Sequence, residues 1–445
     1  DEEGEWRHGG ASRWWLHHSL DSLDRGLKGL GSGLVIACGD SLACLQATAR
    51  ACGAEAVYWN RLYDPAIVAR DRLIKQALRS DGLRCESFKA QVLHEPWELA
   101  TATRGPYRVF TAYWRKAATS LGEVGGMPFP IPAPAALPPL PPKIPCLALD
   151  ALALRPRVGW DDGLAAAWSP GEPGALARLN AFVDQAASSY AERRDLPGVA
   201  GTSRLSPHLH LGEVSPRQVV RALADRAAGG LTGVAEPFVR ELGWREFAHH
   251  LLYHFPHTPE APLDGRFDAF PWRTDGAASL LAAWQRGRTG FPLVDAGMRE
   301  LWHTGWMHNR VRMVAAALLT KHLRLPWQAG ARWFWDTLVD ADLAANTLGW
   351  QWSAGCGADA APYFRIFNPV RQGERFDPEG DYVRRWCPEL ARLPGRWVHQ
   401  PWAAPGSVLH AAGIRLGHDY PAPVVALEQA RREALAAWAQ VQGAR

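Results

Sequence analysis

The segment MPFPIPAPAALPPLPPKIP, residues 127–145, restricts the fold of this chain more than any other stretch. Proline fixes φ and carries no backbone N–H, so a run this dense continues neither a helix nor a strand ladder. It predicts an extended, solvated connection. The 445 residues on its two sides therefore divide into parts that each need a core, in keeping with the two or three domains such a length suggests.

The two parts read differently. Before the proline run, GLVIAC at 33–38 is a short apolar stretch followed by Gly39-Asp40, a helical pattern covers Leu42–Cys52, and AVYWN at 56–60 reads as the next strand. Pro65–Ser80 then reads as a helix and Cys85–Val92 as a strand. Alternating strand and helix predict a parallel α/β sheet. No G-x-G-x-x-G is present, so the standard dinucleotide fingerprint is absent. After about residue 172 the pattern turns helical. Ala175–Ala191 is amphipathic, Ser215-Pro216 opens a helix that Gly229-Gly230 ends, and further helices are expected near 234–255, 277–286, 292–304, 308–323, 329–338 and 342–350.

With 47% hydrophobic and 21% charged residues and a net charge of +4, the chain has an ordinary globular composition, and any nucleic-acid site must be a local basic patch. Seven cysteines without a CxxC pair point to a reduced, cytoplasmic protein rather than a disulfide scaffold or zinc site. No apolar run approaches the roughly 20 residues of a membrane span, and no signal peptide is visible. A start at Asp1 without methionine leads to the expectation that the natural N-terminus is missing. Tryptophan is the outlier at 22 residues, most of which packing alone would explain.

Four segments depart from plain packing. Asp342, Asn346 and Trp350 are spaced to share one helical face, a polar stripe ending in an indole that suits a planar polar ligand. Asp340 precedes that stripe, and Trp352 follows Trp350 by two residues and so meets a different neighbour. In GTSRLSPHLHLGEVSPR, residues 201–217, the hydroxyls of Thr202, Ser203 and Ser206 surround a turn opening toward helices, which suits a phosphate; capped helix starts are the plainer reading. Glu241, Trp244, Arg245 and Ala248 share a face within ELGWREFAHH, as either a ligand surface or a salt-bridged face. Asn309, Arg312 and Met313 share another, with Arg310 pointing elsewhere, and Arg312 has Asp340 or Asp342 as a potential partner.

Taken together, TSRLS, WREF, GWMHNRVRM, DADLAAN, GWQW and DAAPYFRIFNP resemble the signature blocks of the photolyase/cryptochrome flavoproteins, in the right order. SRWWLHHSL, YWNR at 58–61 and PYRVFT at 106–111 extend the resemblance over nearly the whole chain, and within the family it points to the bacterial class I enzymes for cyclobutane pyrimidine dimers. The resemblance implies a Rossmann-like α/β domain at 1–118, a linker at 119–171, and an all-α FAD- and DNA-binding domain at 172–445. Family members open with a WFRRDLR-like strand, a helix and a second strand. This chain lacks them, so the first strands of its front sheet are expected to be missing.

The resemblance also implies roles. Tyr190, Thr202, Ser203, Arg204, Leu205 and Ser206 would surround the FAD phosphates and ribityl chain, and Asn309, Arg312, Asp340, Asp342 and Asn346 would lie along the flavin and adenine. Arg312 would pair with Asp340 near flavin N5. A neutral Asn346 near N5 favours a repair enzyme over a plant-type photoreceptor, which places an Asp there. Trp350, Trp327 and Trp272 would pass electrons to FAD, although the spacing from Trp272 to Trp284 is longer than usual. Trp244 and Trp352 would wall a flipped-out dimer, Glu241 would hydrogen-bond it and Met313 would pack on it. Arg310 and Arg365, with Arg194 and Arg245, would hold phosphates, and Gln372 would touch DNA. Enzymes for (6-4) lesions carry histidines where this chain has Asn309 and Met313, so cyclobutane dimers are the expected substrate. The expected reaction is a light-driven electron loan from excited reduced FAD to the dimer. The antenna pigment (folate, deazaflavin or flavin) stays open, the partner is UV-damaged DNA, and a monomer is expected. A signalling cryptochrome without repair is the alternative.

Overall fold

A computed structural model describes residues 2–121, 130–142, 144–226, 236–360 and 364–443. In chain order its regular elements are α1 (Gly10–Gly29), α2 (Ser41–Cys52), β1 (Ala56–Asn60), α3 (Pro65–Ser80), β2 (Arg84–Phe88), α4 (Phe110–Leu121), α5 (Asp162–Ala167), α6 (Glu172–Gln185), α7 (Tyr190–Arg193), α8 (Ser206–His210), α9 (Pro216–Arg226) and α10 (Glu236–His254). They continue with α11 (Ala277–Gln285), α12 (Pro292–Thr304), α13 (Asn309–Ala317), α14 (Trp327–Thr337), α15 (Leu343–Ala354), α16 (Pro369–Phe376), α17 (Asp381–Trp386), α18 (Gly395–Val398), α19 (Gly406–Ala412) and α20 (Leu427–Gly443). Two compact units result: Asp1–Ser188 with Ser203–Pro256 and Val339–Ala344, and Ser189–Thr202 with His257–Leu338 and Ala345–Arg445.

In the first unit β1 and β2 pair in parallel, from Ala56↔Arg84 to Asn60↔Phe88. Ile74 and Leu78 of α3 pack on Cys85 beside Leu42, Leu45, Val57 and Trp59, the small core that the alternating pattern anticipates. The Asp40 side chain accepts from Ala43 N at 2.8 Å and caps α2, and Gly53 in the left-handed region (φ 62°) ends it.

Two expectations for the sheet do not hold. The apolar run 33–38 is not in the sheet, because its backbone has other partners: Leu34 N donates to Asp24 Oδ1 (3.0 Å), Ile36 N to Cys146 Sγ (3.3 Å), and Ile36 O accepts from Leu147 N (2.9 Å). Strand β2 stops at Phe88 instead of Val92. Beyond it Arg217 donates to the carbonyls of Lys89 (3.1 Å) and Leu93 (3.2 Å), while Glu246 Oε2 accepts from Leu93 N (2.8 Å) and His94 N (2.9 Å). Side chains thus take the groups a strand would have offered to a neighbour.

The helical part of this unit rests on α4 and α10. A Cβ at Gly243 of α10 would lie 2.3 Å from the Trp114 ring, so only glycine allows the helices to come this close. Trp14 and Trp15 are fully buried with their N–H groups satisfied by Asp161 and Glu213, each at 3.0 Å. Each buried indole contributes on the order of 2–3 kcal/mol.

In the second unit α12 packs against α13, α16 and α17. The expected helix at 308–323 forms as α13 followed by a π-helical turn, Leu318–His322. That turn carries Lys321, 1% exposed, whose Nζ donates to Ala354 O (2.5 Å) at the end of α15 and lies 3.3 Å from the Phe364 ring centroid. Burial pushes its ammonium well below the usual lysine range. The expected helix end at Gly229-Gly230 lies outside the described residues. Among the described residues no helix is long and apolar enough to cross a membrane.

Candidate functional site

In the first unit the TSRLS block forms a backbone kink. Arg204 takes a left-handed φ of 51°, and Leu205 follows at φ −84°, ψ −6° in the right-handed region. A left-handed residue followed by a right-handed one aims successive N–H groups to one side, the geometry of an anion-binding nest. Ser203 Oγ accepts from Leu205 N at 3.3 Å, and Ser206 Oγ donates to Asp340 Oδ2 at 2.6 Å. A non-glycine residue in this conformation costs about 1–2 kcal/mol, which the surrounding contacts must outweigh. By its backbone shape the turn can hold an anion.

Asp342, just ahead of α15, sits between two imidazoles: His210 Nδ1 at 3.4 Å and His249 Nε2 at 3.5 Å. Burial alone would lift its carboxyl, but His249 and His210 together hold it well below the usual carboxylate range. Asp64 moves the other way, pushed up to about 7 by burial and by the charge on Asp342. Sequence reading missed His210, His249 and Asp64. The two histidines stand inside the quoted blocks and offered a signal; Asp64 offered none.

On α10, Trp244 stacks on Phe110 with ring centroids 3.7 Å apart and planes 11° apart. Glu241 lies one turn earlier, half-buried. Arg245 turns inward: its guanidinium donates to the carbonyls of Gln91 and, at 3.4 Å, Leu209, and the side chain is 14% exposed.

Of the predicted helical stripe Asp342, Asn346 and Trp350, Asp342 precedes α15 and is not on the helix, whereas in the second unit Asn346 and Trp350 share a face that meets α14. Asn346 Nδ2 donates to Ala331 O at 3.1 Å, which directs Oδ1 the opposite way. The Trp350 ring lies against Gly330, where a Cβ would come within 2.1 Å of it, and contacts Phe334 (5.0 Å) and Trp284 (6.0 Å) edge-on. Trp327 opens α14 one turn before Gly330 and is buried. Trp272 is half-buried against Phe270, ring centroids 4.4 Å apart. Trp284, not foreseen as a neighbour of Trp350, is fully buried and donates to Ala315 O at 3.0 Å.

Trp352 sits apart from Trp350. It carries the Arg365 guanidinium 5.0 Å from its ring centroid and stacks loosely on Phe367 at 6.4 Å. Arg312 Nε donates to Met307 O at 2.7 Å. Arg310 pairs with Asp195 at 2.8 Å and lies over the Phe376 ring at 4.4 Å. Arg194 lies over the buried Tyr190 ring at 5.3 Å. Asn309 is exposed at the start of α13, Met313 and Thr202 are half-buried, and Gln372 of α16 has a buried Oε1 with no hydrogen-bond partner.

Residues 238–440 match the family described as the FAD binding domain of DNA photolyase, and residues 1–136 the family described as DNA photolyase. A deoxyribodipyrimidine photo-lyase of Agrobacterium fabrum is 48% identical over 98% of this chain and 90% of its own length. Cryptochrome-1 of Arabidopsis thaliana is 41% identical over 100% of this chain and 66% of its own. The solved structure of a bacterial class III photolyase from Agrobacterium tumefaciens aligns with a TM-score of 0.92 at 47% identity, covering 98% of this chain and 89% of that one. Sequence blocks, fold and full-length relatives agree, and the chain belongs to the photolyase/cryptochrome family.

Proposed function

We propose that this chain is a DNA photolyase that holds FAD and uses light to split cyclobutane pyrimidine dimers. The observation that carries the reading is Asn346. One N–H of its amide donates to Ala331 O, which leaves Oδ1 as a neutral acceptor suited to a protonated flavin nitrogen. An aspartate at this place would bring a charge against the anionic reduced flavin; the amide does not. When bound, reduced FAD supplies the electron that opens the dimer and takes it back afterwards.

The chain's own residues bind and place. The nest at Arg204–Leu205, with Tyr190, Thr202, Ser203 and Ser206, suits the phosphates and ribityl chain. Asp340, Asp342, Asn309 and Arg312 suit the polar edges of flavin and adenine. Trp350, packed on α14, is the natural inner member of an electron path through Trp327, and the half-buried Trp272 suits its outer end better than the sealed Trp284. Trp244 and Trp352 each offer a ring face to a flipped dimer, and Glu241 and Met313 suit contacts to it. Arg310, Arg365, Arg194 and Gln372 suit phosphate contacts. Arg245, whose guanidinium is committed to backbone carbonyls, supports the α10 surface from behind. The solved relative is named a class III photolyase, and we assign this chain to that class in place of class I.

The test uses FAD-loaded protein, a thymine-dimer oligonucleotide and reductant, under blue light and in darkness. Light should restore thymine and darkness should not. A protein that holds FAD yet restores no thymine is not a repair enzyme, and restoration of a (6-4) substrate alone reverses the lesion assignment.

A further inference from the structure

Arg310 does not stand alone. Its Nη2 is 2.8 Å from Asp195 Oδ2, with side chains 18% and 34% exposed, its guanidinium covers the Phe376 ring at 4.4 Å, and its Nε is buried without a hydrogen-bond partner. The cation is therefore largely covered, and one of its two terminal nitrogens is held by a carboxylate. Building on the reading that Arg310 meets a DNA phosphate, we propose that Asp195 masks Arg310 and weakens its hold on the DNA backbone, damaged and undamaged alike.

A phosphate reaching this guanidinium must also approach Asp195, and the two anions repel. Because the Arg310–Asp195 pair is neutral, phosphate binding there releases no counterion from the protein-free duplex beyond what the remaining cations release. Backbone contacts carry no sequence or lesion information, so any gain in phosphate affinity strengthens damaged and undamaged DNA alike. A masked arginine keeps that uniform term low. The lesion contacts then account for a larger share of the total, and a repair enzyme leaves intact duplex faster. Phe376, with Arg375 over it at 5.0 Å, holds the guanidinium in place, so removing the carboxylate would leave the cation positioned and exposed.

The experiment measures binding of FAD-loaded protein to a fluorescent duplex with and without a thymine dimer, by anisotropy, over a range of salt. Asp195→Asn should tighten both duplexes about three- to tenfold at low salt, the scale of removing one like charge at about 6 Å near a surface. It should also steepen the slope of log affinity against log salt by about 0.9, one extra phosphate neutralised. The same rise in both leaves the damaged-to-undamaged ratio unchanged at equilibrium but raises the fraction of enzyme held on intact DNA. Asp195→Ser serves as the second variant, and flavin absorbance reports folding. If either variant leaves affinity and slope unchanged, or weakens binding, while Arg310→Gln weakens both duplexes, masking is rejected and the phosphate contact stands. If Arg310→Gln itself changes nothing, the phosphate reading of Arg310 fails and the masking role with it.

Discussion

Replacing glycine by alanine within a helix ordinarily stabilises by about 1 kcal/mol. At Gly330 of α14 the sign should reverse. The new Cβ would stand 2.1 Å from Trp350 Cη2, 2.4 Å from Cζ3 and 2.6 Å from Cζ2. Non-bonded carbons rest at about 3.5–4.0 Å, so the indole would have to withdraw by well over 1 Å. It has little room, because Trp350 is 2% exposed with Phe334 and Trp284 against it. Overpacking of this kind costs about 1–3 kcal/mol, enough to cancel the helix gain and leave a net loss of up to about 2 kcal/mol. Gly349 of α15 is the matched control, since nothing lies within 4 Å of a Cβ built there, and Gly349→Ala should gain up to about 1 kcal/mol. Both variants are assayed by thermal melting followed through flavin release, and by the rate of light-driven reduction of oxidised FAD. Gly330→Ala should melt a few degrees lower and reduce flavin at least severalfold more slowly, since a 1 Å misplacement of a working group is expensive. Gly349→Ala should melt higher at the wild-type rate. Wild-type melting and wild-type photoreduction in Gly330→Ala would refute the packing of Trp350 on α14.

Two further outcomes follow from single contacts. His250 accepts from Tyr107 N at Nε2 (3.0 Å) and meets Pro96 O through Nδ1 (2.9 Å), so its folded form is neutral, and burial followed by neighbouring His254 lowers its pKa to about 4. The unfolded chain takes up that proton near 6.5, so the contribution is complete above pH 6.5 and about 3 kcal/mol of it is lost as pH falls to 4. Denaturant midpoints at pH 7.5 and 5 should therefore fall less in His250→Gln than in the wild type, and an equal fall in both contradicts the assignment. Trp352→Ala should lower affinity for dimer-containing DNA by roughly 1–3 kcal/mol, the scale of one base–aromatic stack, while FAD content stays constant; unchanged damaged-DNA affinity would remove Trp352 from the lesion wall.

Local periodicity made much of the architecture legible. Pro65–Ser80 and 292–304 form as the pattern predicts, and the i, i+4 spacing of Asn346 and Trp350 correctly places both on one face. What the pattern could not supply was partnership at long range. The run 33–38 has strand composition but becomes no strand, because strand formation depends on a neighbour and its nearest one is the chain at Cys146–Leu147. The end of β2 was invisible for a similar reason, since Arg217 and Glu246 reach it from distant helices. Arg245 shows the same limit: a helical wheel gives the face of a side chain but not which backbone carbonyls its guanidinium meets.

The surroundings of Asp342 carry that point from geometry into charge. Two carboxylates and two imidazoles are gathered in one unit, and the interior disfavours like charges side by side. The arrangement resolves this by division. Asp342, with His210 and His249 against it, stays anionic, and Asp64, left with burial and the charge of Asp342, is pushed up to about 7. A polar stripe at helical spacing suggests a ligand-facing surface. Which acid near it is charged depends on residues contributed by other segments of the chain, so the electrostatics around Asp342 belong to the tertiary structure even where the motif itself is contiguous.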